Sequence, residues 1–160
     1  MMDALESVKK HLASIGFFRD FTAAEMSHVY HNGFFKICQP GEYLIHEGGV
    51  DRTLFVLITG MVEVTRSGTS SLQRVLATLG AGSIFGEIAF VARQVRSTNV
   101  IAREESLVFQ LEEKHFSGLP AEMKVKIQQQ AVKLLMDRLE AVKKVTGYEG
   151  PVGQGEFSPP

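Results

Sequence analysis

The residues best suited to chemistry lie in one short stretch, Gly82-Ser83-Ile84-Phe85-Gly86-Glu87-Ile88-Ala89-Phe90, followed after a loop by Arg96-Ser97-Thr98. Gly86 has no Cβ and lets another group approach the backbone closely. Ile88, Ala89 and Phe90 can form one helical turn, and the first turn of a helix presents amides that have no acceptor within it. Together with the positive end of the helix dipole, such amides make a cradle for a phosphate. Arg96 stands nine residues beyond Glu87, where a planar guanidinium could grip two phosphate oxygens in a charge-assisted fork. Glu87 would repel a phosphate at short range, so the two charged groups must meet different parts of one ligand. A ribose hydroxyl donating to Glu87 and a cyclic phosphate on Arg96 meet that condition. The alternative is that Glu87 and Arg96 simply form an ion pair with each other across the loop.

Other reactive residue types are scattered. Five histidines, His11, His28, His31, His46 and His115, would have to cluster to serve a cupin-type metal enzyme, the rival reading on a similar β-roll. None forms a His-x-His pair; His28 and His31 sit one helical turn apart and read as surface or capping residues. Cys38 is the single cysteine, which excludes an intrachain disulfide and a multi-cysteine zinc site and fits a core-filling thiol in a reducing compartment. No metal, no cofactor and no catalytic residue is expected.

The elements that must position this stretch are legible from periodicity and punctuation. Ala4, Val8, Leu12 and Ile15 recur at helical spacing up to Gly16, and Thr22 with Glu25 makes a capping box for a second helix running to about His31. From Phe34 the pattern changes to short apolar and β-branched runs: 34–37, 43–46, 53–59, 61–66 and 72–79, then 99–102 and 106–111. Pro40-Gly41, Gly48-Gly49, Gly60, Gly68 and Gly80 to Gly82 separate them as turns. Leu54 to Ile58 is apolar throughout and should be buried on both faces, whereas Met61 to Val64 alternates, with Glu63 outward.

About eight short strands imply a mainly β fold, an antiparallel β-roll of the jelly-roll or double-stranded β-helix kind, with N-terminal helices and a long C-terminal helix. Pro120 opens that last helix, at about 120–145, and Val125, Val132, Leu135, Leu139 and Val142 form a seam at seven-residue steps. The seam could pack on the roll or on a second copy, giving a homodimer through the C-terminal helix. The domain is expected to span 1–146, with the roll at about 34–111, and the Gly/Pro-rich stretch 147–160 is expected to be a disordered tail.

Composition narrows the partners. Length and 44% apolar residues fit one globular domain among the 160 residues. Seventeen basic against eighteen acidic residues leave a formal charge of −1, which offers no basic excess to a nucleic acid backbone. The longest strongly apolar stretch, Leu54 to Val62, is far short of the ~20 residues a bilayer requires, and Met1 to Phe18 has no signal-peptide core. A cytoplasmic protein with no membrane contact is expected.

At this point the chain resembles the cyclic nucleotide-binding domains shared by catabolite-activator-type regulators, cyclic-nucleotide-dependent kinases and gated channels. The resemblance covers roughly residues 17–139. It rests on Phe85-Gly86-Glu87-Ile88-Ala89-Phe90 as the phosphate-binding cassette, Arg96 at the arginine position, Gly41-Glu42-Tyr43-Leu44-Ile45 with Gly48, and Leu54-Phe55-Val56 with Gly60. It implies that Glu87 binds the ribose 2′-hydroxyl, that Arg96 binds the cyclic phosphate, and that the amides of Ile88 and Ala89 assist. Gly86, Ser97 and Thr98 complete the ligand set; the hydroxyl of Ser97 can reach the phosphate or a purine substituent and so can admit cGMP. cAMP is favoured as the commoner ligand of stand-alone modules in the family. The resemblance also makes Val132, Leu135, Met136 and Leu139 candidate lid residues over the base, and it implies a regulatory sensor that signals to a downstream protein of unknown identity. No helix-turn-helix follows the long helix, so DNA binding by this chain alone is not expected. The competing reading on the same fold is a docking or oligomerisation module that works without nucleotide.

Overall fold

The structure, a computed structural model, describes residues 3–68 and 72–147. Of the expected disordered tail only Gly147 is described, and its left-handed φ of 63° ends the last helix; residues 148–160 lie outside. The first helix, α1 (Ala4–Ser14), turns Leu12 fully into the core with Val8 packed beside it. A 3₁₀ turn at Gly16–Phe18 then buries Phe17 and Phe18. α2 (Ala23–Asn32) opens on the expected capping box: Glu25 N–H donates to Thr22 Oγ1 at 3.1 Å, and Thr22 N–H donates to the Glu25 carboxylate at 3.0 Å. Two otherwise orphaned amides are satisfied, an arrangement worth about 1 kcal/mol.

The strands are β1 (Phe34–Cys38), β2 (Tyr43–Ile45), β3 (Thr53–Thr59), β4 (Val62–Ser67), β5 (Gln73–Leu79), β6 (Ile84–Phe85), β7 (Asn99–Ala102) and β8 (Ser106–Glu112). The seven runs read from the sequence all appear within a residue of their expected ends, and β6 is the eighth. All pairs are antiparallel, in one sheet ordered β1-β8-β3-β6 and a second ordered β2-β7-β4-β5. This is the expected β-roll.

β3 explains how the layers assemble. Its side chains alternate: Leu54, Val56 and Ile58 join Leu12, Phe18, Val29 and Ile127 beneath the helices, while Phe55 and Leu57 join Ile45, Val62 and Val100 between the sheets. An unbroken apolar run therefore serves two cores, one on each face of the first sheet. β5, by contrast, is an edge strand and leaves Val75 and Leu76 exposed.

Three helices complete the fold: α3 (Glu87–Ala92), α4 (Glu113–Phe116) and α5 (Ala121–Thr146). α5 meets the core through Met123, Ile127, Ala131 and Leu134, a stripe stepping by four, four and three residues. The seam read from the sequence does not pack on the roll. Val125, Val132, Leu139 and Val142 are exposed and Leu135 is partly buried, because the two stripes occupy different sides of the helix. No helix among the described residues is long and apolar enough to cross a membrane.

Candidate functional site

The site begins where the first sheet hands over to α3. Phe85 pairs with Phe55 across β6 and β3, and their rings stack at 5.0 Å. Gly86 then takes a φ of 81°, which L side chains rarely adopt, and turns the chain into α3. A Cβ at that position would lie 2.6 Å from the Thr53 carbonyl oxygen and 2.9 Å from Arg96 Nη1, so the glycine is required both by dihedral and by space. Ile88 and Ala89 follow in the first turn of α3, among amides with no acceptor inside the helix. Phe90 secures the turn from behind, its ring edge-on to Phe116 at 4.7 Å.

Arg96 is delivered by a loop stitched to the Gly48-Gly49 turn: its N–H donates to the Gly49 carbonyl at 2.8 Å, and Gly48 N–H donates to its carbonyl at 2.7 Å. The residue is 4% exposed. Nε and Nη2 donate to Asp51 Oδ1 and Oδ2 at 3.2 and 2.7 Å, Nη2 also donates to the Thr53 carbonyl at 2.8 Å, and Nη1 donates to the Gly86 carbonyl at 2.9 Å. Those bonds take four of the five guanidinium N–H groups, leaving one on Nη1 without an acceptor among the described residues. The two-toothed edge of Arg96 is thus engaged by Asp51. Burial pushes the Asp51 carboxyl up, but the hydrogen bonds and charge of Arg96 outweigh it and hold that carboxyl below the ordinary aspartate range.

Glu87 does not pair with Arg96. The residue is buried, 2% exposed, and its Oε1 accepts from Nη1 of Arg138, a residue of α5. The other nitrogen, Nη2, donates to the Ile84 carbonyl. Each carboxylate at the site therefore has its own guanidinium, Asp51 with Arg96 and Glu87 with Arg138.

Glu87, Arg96 and Arg138 line one cavity of about 220 Å³, with Asp51 outside its lining. Gly86, Glu87, Ile88, Arg96, Ser97 and Thr98 all line it, and Ala89 lies in the same helical turn. The opposite wall is aliphatic, from Ile45, Val64, Ala77, Leu79 and Val100 of the second sheet. None of the candidate lid residues Val132, Leu135, Met136 and Leu139 lines the cavity; Val132 and Met136 border a separate shallow groove on α5. The α5 residue in the wall is Arg138, which sequence reading missed. Its signal was present, since the core stripe Met123, Ile127, Ala131, Leu134 next falls on position 138, where it meets a charge instead of an apolar residue. Asp51 had no comparable signal. Among the described residues no group of three or more His, Cys, Asp or Glu could hold a metal ion. His46 stacks on Tyr43 at 5.0 Å.

An antiparallel β-roll interrupted by a short helix, with a buried guanidinium and a buried carboxylate on one cavity, defines a class of small-molecule-binding regulatory fold. The family model for the cyclic nucleotide-binding domain matches residues 35–122, and the chain belongs to that family. The chain is 30% identical over 103 residues to human cGMP-dependent protein kinase 2, covering 64% of this chain and 14% of the kinase. Among solved structures, a cyclic nucleotide-binding domain from Methylobacillus flagellatus superposes with a TM-score of 0.76 at 21% identity, covering 91% of this chain and 84% of that one. The catabolite activator protein of Thermus thermophilus gives 0.70 at 21% identity over 82% and 61%. At these identities the structural matches speak to the fold, and the chain spans only a small part of the curated kinase it matches.

Proposed function

We propose that this chain is a non-catalytic cyclic nucleotide sensor, working in a reducing, cytoplasmic setting, in which residues 1–146 act as one module. The observation that carries the reading is the placement of Arg96 and Glu87 on one cavity with an aliphatic far wall. A nucleotide has three parts that fit three kinds of lining. The cyclic phosphate meets the free Nη1 hydrogen of Arg96, the amides of Ile88 and Ala89, and the hydroxyls of Ser97 and Thr98. The ribose 2′-hydroxyl donates to Glu87. The purine lies against Val64, Ala77 and Leu79. cAMP is the preferred ligand over cGMP: guanine carries more donors and acceptors than adenine, and an aliphatic wall would leave them unpaired.

The cavity is smaller than the ~300–1,000 Å³ typical of sites that enclose a small molecule. Occupancy passes along α5 because Arg138 of that helix lines the cavity and the ligand favours one arrangement of the helix over another. The exposed seam of Val125, Val132, Leu139 and Val142 supports a second copy as one partner of the module; the downstream protein is a further one.

The test is calorimetric titration of the purified protein, freed of carried-over ligand, with cAMP and with cGMP, repeated on Arg96→Ala. Micromolar or tighter binding, stronger for cAMP and lost in the variant, is expected. A folded protein giving no heat with either nucleotide overturns the reading in favour of a nucleotide-independent docking module.

A further inference from the structure

The charges at the cavity answer one another: Arg96 is paired with Asp51 and Glu87 with Arg138. Paired opposite charges attract an anion only at short range, and the chain as a whole carries a formal charge of −1. Attraction from a distance must therefore come from cations outside these pairs. A groove of about 560 Å³ adjoins the cavity, sharing Val95, Arg96 and Ser97 with it and lined further by Glu47, Gln94 and Arg66. On β4, Arg66 stands two residues beyond Val64, a cavity-lining residue, so both side chains lie on the same face of the sheet. Directly opposite Arg66 on β5 stands Arg74, one bulge beyond the facing pair Val64 and Ala77.

Two guanidinium groups facing each other across a strand pair repel, and such a pair lowers the stability of the sheet. Both arginines are exposed, and neither has a hydrogen bond or ion pair among the described residues. The connection between the two strands, 68–72, contains no acid that could reach them. Glu47, the acid of the groove, accepts the Ser67 N–H on Oε2 at 3.0 Å and forms no ion pair with Arg66. The fold thus holds two uncompensated positive charges beside the groove, at a cost to its own stability.

We propose that Arg66 and Arg74 are an electrostatic guide for the ligand: the anionic nucleotide reaches the cavity along the groove that Arg66 lines, and the two charges set how fast it arrives. The inference rests on the nucleotide reading above. Charges at the mouth of a cleft raise the association rate of an oppositely charged ligand and leave its dissociation nearly unchanged, because they act before contact. The effect depends on charge rather than on the shape of the guanidinium, so lysine serves in place of arginine at both positions.

The experiment is stopped-flow binding of cAMP carrying a fluorophore on its purine, at low salt and at about 1 M salt, with thermal melts of the same proteins. The variants are Arg66→Gln/Arg74→Gln, Arg66→Lys/Arg74→Lys and Arg74→Gln alone. At low salt the double Gln variant is expected to associate about fivefold or more slowly than the wild type, with dissociation within about twofold. At about 1 M salt, where the screening length is about 3 Å, the two proteins should associate within about twofold of each other. The double Lys variant keeps the wild-type rate, and Arg74→Gln melts no lower than the wild type because a repulsion is removed. Equal association at low salt overturns the proposal. So does a slowing that persists at high salt, or an effect confined to dissociation, since either marks a direct contact with the ligand. A slow double Lys variant overturns the dependence on charge, and a lower melting temperature for Arg74→Gln makes the pair structural and overturns it too. Should the double Gln variant not fold, Arg74→Gln decides, with association about twofold slower at low salt expected and an unchanged rate overturning. A wild type that binds no nucleotide overturns the nucleotide reading and this inference with it, whereas binding at rates indifferent to Arg66 and Arg74 overturns only the inference.

Discussion

Arg96 and Asp51 meet edge to edge, Nη2 2.7 Å from Oδ2 and Nε 3.2 Å from Oδ1, although they lie 45 positions apart in the chain. The arginine is buried while the aspartate side chain is about half exposed, so the pair sits at the boundary between the site and solvent. Asp51 and two carbonyls fix the guanidinium before any ligand arrives. In the proposed complex a phosphate would meet a preorganised charge and a single free N–H, and little conformational entropy would be lost on binding.

Replacing Arg96 by alanine should weaken nucleotide binding by at least about 2 kcal/mol, roughly thirtyfold in Kd, because the phosphate loses its charged partner. Calorimetric titration measures it, and unchanged affinity would remove Arg96 from the ligand set. Glu87→Ala should weaken binding less than Arg96→Glu, since the latter sets a negative charge against the phosphate; the reverse ranking would argue against a ribosyl ligand.

The Asp51 carboxyl is held low in the folded protein, so its contribution to stability is present above the unfolded value of about 3.9 and is lost as pH falls through the lower native value. Asp51→Asn should be about 1–2 kcal/mol less stable at pH 7, chiefly because buried Arg96 loses a charged acceptor. The gap between the two proteins should close as pH falls from about 4 toward 2. Glu25 beside Lys126 and Glu42 beside Lys36 are also held low and destabilise both proteins in acid alike, so the difference in thermal unfolding isolates Asp51. A gap constant across that range would mean that the ion pair does not contribute.

Gly86→Ala should destabilise the fold by about 1–3 kcal/mol and impair binding, because its backbone stays in the left-handed region and its Cβ would press on Thr53 and Arg96. Gly80 has open space and no positive φ, so Gly80→Ala should change stability by no more than about 0.5 kcal/mol. Thermal melts of the two variants make the comparison, and equal effects would contradict the crowding at Gly86.

On α5, Ile127→Ala should cost about 2–5 kcal/mol, because Ile127 is wholly buried and its removal leaves a cavity. Leu139→Glu should leave the folded unit intact but separate a dimer into monomers in sedimentation equilibrium. A wild type that is monomeric throughout would refute the seam as a contact between copies.

The roll and its helices were legible because each element has a local cause: the Thr22–Glu25 capping box, the two-residue alternation around β4, and glycines between strands. The stretch with Glu87 and Arg96 stood out through its resemblance to the family's cassette, because the two charges by themselves fit an ion pair across the loop equally well. Which α5 residue reaches the cavity was not legible, because the helix carries two apolar stripes and nothing local says which one faces the roll.

By itself, the sequence determined the strands and helices, the turn at Gly86, and the short stretch that carries Glu87 and Arg96, since these depend on neighbours a few residues apart. Only the tertiary structure decided which charges pair. Arg96 pairs with Asp51 and Glu87 with Arg138 because strand pairing and helix packing bring together residues 45 and 51 positions apart, and Coulomb attraction depends on distance in space rather than along the chain.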